Sequence, residues 1–207
     1  MRSIEGFRWV SQPHALLAGG HSRRFRVYRP SGLGRAGAVP LVLFLHGGFG
    51  SGAQAEYAYG WDDAADRYGF VVAYPDGIGR SWNAGACCGP ARSEGVDDVG
   101  FLRALVEQVG DAERIDPDRV YCTGISNGAM MAYRLACELP RLLAAIGPVA
   151  GTMVCPCPQP EPTSVLHIHG LEDAMVPFVG GIGRESGTAS PRPSVLSVLD
   201  VWRQAGG

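Results

Sequence analysis

Three short stretches carry residue types and spacings suited to chemistry. The first is Gly124-Ile125-Ser126-Asn127-Gly128, a G-x-S-x-G turn. An apolar run, residues 120–123, precedes it, and an Ala/Met/Leu-rich stretch follows. A serine at the apex of a strand-to-helix turn has a strained backbone and an exposed hydroxyl. A side chain in place of Gly124 or Gly128 is expected to collide with the neighbouring strand or helix. Chance matches come easily in a chain with 30 glycines, so the flanking strand and helix carry the argument. The helix N-terminus behind Ser126 aims its amides at any oxyanion formed there, the first belonging to Asn127.

The second stretch is His46-Gly47-Gly48-Phe49-Gly50-Ser51-Gly52, directly after the apolar run 40–45. A glycine-rich loop after a central strand lets backbone N–H groups converge and supplies the second amide of an oxyanion hole. A phosphate loop does not fit: there is no G-x-x-x-x-G-K-[ST], and no lysine lies nearby. His46 reads as a structural hydrogen-bonder. The third stretch is His169-Gly170-Leu171-Glu172-Asp173, which places a carboxylate four residues past a histidine. A serine hydroxyl is a poor nucleophile near neutral pH, so a histidine must take its proton and an acid must orient that histidine. The three stretches together describe nucleophilic acyl transfer.

These parts need a scaffold. The runs 40–45, 70–74, 120–125, 143–150 and 164–169 read as strands, and the first is apolar throughout, as in a parallel sheet covered on both faces. Between them lie helical patterns: 61–68 stopped by Gly69, 97–109 with Gly110 after its end, the stretch behind Ser126, and a last helix capped by Ser194. Residues 1–40 read as an entry hairpin, with the alternating 24–29 as a half-exposed edge strand. Residues 116–119 read as a turn. Asp97 and Asp98 read as helix-cap or dipole partners, and stand next in line as the acid if Asp173 is not. Functional groups on such a sheet gather at the carboxyl ends of its strands.

The long loop 78–96 contains Ser81-Trp82-Asn83 and Cys87-Cys88, and loops of that length inside a compact domain are functional more often than not. Trp82 fits either a wall of a substrate pocket or a packed anchor of that loop. Cys122 and Cys137 fit small buried hydrophobes, whereas Cys87, Cys88, Cys155 and Cys157, in Gly/Pro-rich loops, fit disulfide partners and hence export. Their pairing stays open.

Composition narrows the class. The 207 residues are 46% hydrophobic and 18% charged, with a formal net charge of −2, which fits one globular domain, 1–207, and argues against nucleic acid as a partner. No apolar run reaches membrane-spanning length, and the N-terminal residues lack a signal-peptide core. No cofactor is implied. Zinc on Cys87, Cys88, Cys155, Cys157, His167 and His169 is disfavoured, because C-C and C-x-C are not zinc-knuckle spacings. Subunit number is not encoded in any of these patterns.

The chain resembles the α/β-hydrolases of the polyhydroxybutyrate depolymerase and feruloyl/acetylxylan esterase group, the LpqC-like esterases. The pieces that match are Leu45-His46-Gly47-Gly48-Phe49-Gly50-Ser51, Ser81-Trp82-Asn83 with Cys87-Cys88-Gly89, Val96-Asp97-Asp98-Val99-Gly100-Phe101, residues 121–136, Pro148-Val149-Ala150-Gly151, and residues 167–177. The resemblance implies an α/β-hydrolase fold, a mostly parallel twisted sheet with helices on both faces. It implies Ser126 as nucleophile, Asp173 as acid, and oxyanion amides at Asn127 and at Gly48 or Phe49. It also implies export, and small or polymeric esters as substrates: feruloyl, acetyl and 3-hydroxybutyrate esters all remain open. A peptidase would use the same machinery, but no feature selects an amide.

One departure stands out. In this fold the order is Ser, Asp, His, with the histidine after one further strand. The five histidines, His14, His21, His46, His167 and His169, all precede Asp173. The expectation is a C-terminally incomplete chain, with the strand at 165–169 left at an unpaired edge; a triad rewired through His46 or His169 is the alternative. A binding protein on a hydrolase scaffold is the reading from another class.

Overall fold

A computed structural model describes residues 11–34, 37–184 and 191–206. Seven strands form one sheet: β1 (Gln12–Ala18), β2 (His21–Tyr28), β3 (Val39–Leu45), β4 (Val71–Pro75), β5 (Ile115–Ile125), β6 (Ala145–Val149) and β7 (Ser164–Val165). Their order is β1-β2-β4-β3-β5-β6-β7. β1, β2 and β4 pair antiparallel, and every pairing from β4 to β7 is parallel. The expected entry hairpin is present, but the edge strand is β1. β2 lies between β1 and β4, and Phe25, Val27 and Tyr28 are buried. The part of that expectation on residues 1–10 lies outside the described residues.

Among the described residues six α-helices accompany the strands: α1 (Gly52–Ala58), α2 (Trp61–Tyr68), α3 (Gly89–Ser93), α4 (Asp98–Glu113), α5 (Asn127–Glu138) and α6 (Val195–Gly206). Alternation along the strands decides what each face packs against. Leu41, Leu43 and Leu45 of β3 and Val120 and Cys122 of β5 join one core with Phe101, Leu102 and Leu105 of α4, Met131 and Leu135 of α5, and Trp202 of α6. Phe44 of β3 and Val72 and Tyr74 of β4 meet α1 and α2 through Ala55 and Ala65 on the other face. Helices therefore lie on both faces, as expected of an α/β-hydrolase. Beyond α1 and α2 no described helix covers the second face. An apolar hollow of about 750 Å³ lies over Val42, Thr123, Ile125, Val149, Leu166 and Ile168, and Leu166 is 69% exposed.

Several boundaries differ from the sequence reading. α4 runs through Gly110 to Glu113 and ends at Arg114 in the left-handed region, because the Val106 and Val109 contacts to the core outweigh one glycine. Residues 116–119 do turn, but inside β5. Val39 pairs with Ile115 and Leu41 already with Val120, so the turn is a bulge in the ladder. α1 was not foreseen; Ser51 caps it, accepting from the Gln54 amide. α2 and its Gly69 cap, and α6 after Ser194, stand where expected.

The cysteines divide differently from the loop-based expectation. Cys137 pairs with Cys157, with Cα atoms 5.5 Å apart, and ties the end of α5 to the proline-rich loop. Cys87 pairs with its neighbour Cys88. Cys155, expected as a partner, is a buried free thiol, as is Cys122. Among the described residues no helix is long and apolar enough to cross a membrane, and no three His, Cys, Asp or Glu side chains are placed to hold a metal.

Candidate active site

Ser126 occupies the hinge between β5 and α5 at φ 55°, ψ −116°. That conformation is strained for any residue with a Cβ and costs on the order of 1–3 kcal/mol. The two glycines explain how the chain can double back so tightly. A Cβ on Gly124 would stand 2.6 Å from the Leu45 carbonyl oxygen and 2.8 Å from the Gly128 carbonyl carbon, and one on Gly128 would overlap the Leu45 carbonyl. Both fall inside van der Waals contact, so β3 and α5 could not close around the hinge with any larger residue there. The backbone of Ser126 is fully used: its N–H donates to Val149 at 2.9 Å and its carbonyl accepts from Met130 at 3.0 Å. The half-buried side chain makes no hydrogen bond among the described residues, and its hydroxyl is not sealed in the core. The serine is presented to solvent.

Asn127 follows at the first turn of α5, where a backbone amide has no intrahelical partner. Its side chain is buried and grips the loop at 82: Oδ1 accepts from the Trp82 amide at 2.7 Å and Nδ2 donates to the Trp82 carbonyl at 2.9 Å. Across the hinge lies the glycine loop, with the Cβ direction of Gly47 passing 3.7 Å from Ser126 Cβ. Of the two residues expected to supply the second amide, Phe49 is already committed, its N–H donating to the Arg80 carbonyl at 2.8 Å. Gly48 is exposed, and its amide has no partner among the described residues. Phe49 itself is 87% exposed at φ 64°.

Trp82 is fully buried, which fits the loop anchor of its two expected roles. Its indole N–H donates to the His46 carbonyl at 2.9 Å. His46 has both ring nitrogens occupied: Nε2 accepts from the Gly77 amide at 3.0 Å, so Nδ1 carries the proton and donates to the Gly47 carbonyl at 2.7 Å. Burial lowers its pKa, which keeps the ring neutral. This is a brace for the glycine loop, with no nitrogen left to serve Ser126.

The loop 81–83 is held from a second side by a buried ion pair that the sequence reading missed. Arg23 of β2 donates to Asp98 Oδ1 at 2.6 Å, stacks 3.9 Å over the Phe101 ring, and leaves Asp98 Oδ2 to accept from the Asn83 amide at 2.7 Å. Asp97 is the helix cap, accepting from the Gly100 amide at 2.8 Å. Asp98 is an internal brace and not a cap.

Asp173 lies in the turn after β7. One carboxylate oxygen, Oδ1, accepts from the amides of Met175 and Val176, each at 2.8 Å. The other, Oδ2, is 3.6 Å from His169 Nε2, too long for a hydrogen bond. Hydrogen bonds step across the strand ends from serine to acid: Ser126 to Val149, Ala150 to Ile168, and then the chain runs on to 173. Ser126 thus follows the end of β5, and Asp173 follows the segment bridged to the end of β6 at Ile168. His169 is almost wholly buried, with Nδ1 facing His167 at 3.0 Å and Nε2 facing the Val176 carbonyl at 2.7 Å. Among the described residues no histidine is bonded to Ser126.

The comparisons with known proteins point one way. The Esterase PHB depolymerase family model matches residues 24–158. The inferred esterase NocK of Nocardia uniformis subsp. tsuyamanensis is 35% identical over 93% of this chain and 59% of its own length. Feruloyl esterase B of Piromyces equi is 31% identical over 78% of this chain and 31% of its own. The chain thus spans less than two thirds of these relatives. A solved thermostable esterase superposes with a TM-score of 0.64 at 18% identity, covering 96% of this chain and 52% of that one, a likeness of fold alone.

Proposed function

The chain belongs to the PHB depolymerase family of esterases, and from that premise we propose that it is a serine carboxylic-ester hydrolase working through an acyl-enzyme at Ser126. The observation that carries this reading is the strained hinge that leaves the Ser126 side chain unbonded beside two unused amides. Ser126 Oγ attacks the ester carbonyl, and the oxyanion is met by the amides of Asn127 and Gly48. Such donors are worth about 3–4 kcal/mol each in the transition state. The proton leaves Oγ for an imidazole, which returns it to the departing alcohol; water then repeats the cycle on the acyl group. Asp173 Oδ2 holds that imidazole, because Oδ1 is committed to its own loop.

None of the described histidines supplies the base: His46 is a brace, and His167 and His169 bond each other. An imidazole serving this site must stand between Oδ2 and Oγ. The name of the Piromyces relative favours feruloyl esters, and that of the family favours polyhydroxybutyrate. The Cys137–Cys157 disulfide fits an oxidising, extracytoplasmic compartment.

The absence of a described base at Ser126 favours a second reading, a non-catalytic binding protein on the same scaffold. A fluorophosphonate probe separates the two. Stoichiometric labelling lost in Ser126→Ala supports the hydrolase; no labelling supports the binder.

A further inference from the structure

Behind the acid loop lies a buried polar chain that the mechanism above does not use. Tyr133, on the helix whose N-terminus carries the serine, has its hydroxyl 2.8 Å from His167 Nδ1. His167 Nε2 is 3.0 Å from His169 Nδ1, the two rings stacked 8° from parallel. His169 Nε2 ends the chain 2.7 Å from the Val176 carbonyl. Tyr133 is fully buried and His169 nearly so.

The proton positions along this chain follow from its last member. A carbonyl oxygen only accepts, so His169 Nε2 carries a proton. A neutral His169 then accepts at Nδ1, so His167 Nε2 donates to it. A neutral His167 in turn accepts at Nδ1, so the Tyr133 hydroxyl donates. All three bonds run in one direction, and both rings are neutral Nε2–H tautomers.

We propose that His167 and His169 are positioning residues for the acid Asp173, forming a one-way hydrogen-bonded chain from the Tyr133 hydroxyl to the Val176 carbonyl inside the acid's own loop. The inference rests on the reading of Asp173 as the acid. Val176 is gripped twice: its N–H donates to Asp173 Oδ1 and its carbonyl accepts from His169. That grip fixes the carboxylate with Oδ2 outward. The helix that presents the nucleophile thereby also sets the rotamer of the acid.

The chain has room for one extra proton, and taking it reverses two bonds. A proton added at His169 Nδ1 forces His167 to the Nδ1–H tautomer, and Tyr133 must accept instead of donate. The charged ring would then sit 3.6 Å from Asp173 Oδ2 and compete for the carboxylate. Among the described residues, the further charged side chains at the loop are Arg192, which interacts with Asp173 and donates to the Met175 carbonyl, and Glu172 and Arg184, which line the same hollow as Asp173; the rings of Phe178 and Trp202, which do not titrate, pack against His169 and Tyr133.

The test uses the protein encoded by the complete gene and reads tautomers and kinetics together. Nitrogen-15 NMR of the imidazoles should show His167 and His169 as Nε2–H at pH 7. Tyr133→Phe removes the first donor and keeps the ring. It should leave both rings as Nε2–H, shift the nitrogen-15 resonance of the now undonated His167 Nδ1, and lower kcat by roughly tenfold with KM within about twofold, the size expected for one lost hydrogen bond. His169→Gln, which keeps a donor for Val176, should retain more kcat than His169→Leu. Protonated rings or Nδ1–H tautomers in the wild type would overturn the inference, and so would a Tyr133→Phe variant with an unshifted His167 Nδ1 resonance and unchanged kcat. Ser126→Ala is the control: hydrolysis surviving there removes the serine-esterase reading itself, whereas full loss there beside an unaffected Tyr133→Phe removes only the positioning chain.

Discussion

The side-chain amide of Asn127 closes a two-bond clasp on the backbone of Trp82, 45 residues earlier in the chain, accepting at 2.7 Å and donating at 2.9 Å. One residue thus offers its own N–H to the proposed oxyanion and holds the loop that braces the opposite wall. Asn127→Ala leaves the buried Trp82 N–H unpartnered and takes one of the two donors from the Trp82 carbonyl, which keeps the Cys88 amide. The expected loss is about 2–4 kcal/mol of stability, read from urea unfolding. Asn127→Asp keeps the acceptor and loses the donor, and should fall between the two.

The hinge at Ser126 stores strain that glycine would release, because φ 55°, ψ −116° is penalised by a Cβ. Ser126→Gly should therefore unfold at a higher urea midpoint than wild type, by about 1 kcal/mol, while losing all reaction with a phosphonate probe. A destabilised Ser126→Gly would mean that the hinge is not strained.

The Arg23–Asp98 pair is fully enclosed and serves Asn83 as well. Removing one partner leaves an uncompensated buried charge, at a cost of about 3–5 kcal/mol. Arg23→Met and Asp98→Asn should each lower the melting temperature by several degrees. The double variant should lose less than the sum, which a double-mutant cycle reads directly.

His167 sets a pH dependence whose sign is fixed. Its folded-state pKa is lowered from 6.5 to about 4, first by desolvation and then by His169. Between those values the unfolded chain binds the proton and the folded chain does not, so stability rises with pH across that window. Urea midpoints should fall as pH drops from 6.5 towards 4, and His167→Phe should flatten that part of the curve relative to wild type.

The sequence disclosed what local sterics and periodicity control. Gly124 and Gly128 announce the hinge because any Cβ there meets backbone, a constraint written into the residues themselves. The apolar strand β3 and the capped helices α2 and α6 are similarly local. What stayed hidden depends on how distant loops fold back. The disulfide joins Cys137 of a helix to Cys157 of a loop, so sorting the cysteines by segment type misassigned Cys155. Phe49 looked equivalent to Gly48 until the Arg80 carbonyl took its amide. Trp82 stood on equal footing as wall or anchor until the His46 carbonyl beneath it favoured the anchor. The purpose of the pair His167 and His169 required Tyr133, which lies 34 residues before His167.

The account stands on acylation of the hydroxyl at 126, and covalent labelling measures that most directly. The protein encoded by the complete gene is treated with a fluorophosphonate, digested, and mapped by mass spectrometry. One adduct per chain, located at Ser126 and absent from Ser126→Ala, is the predicted result. An unlabelled wild type, or an adduct of equal yield in Ser126→Ala, would contradict it.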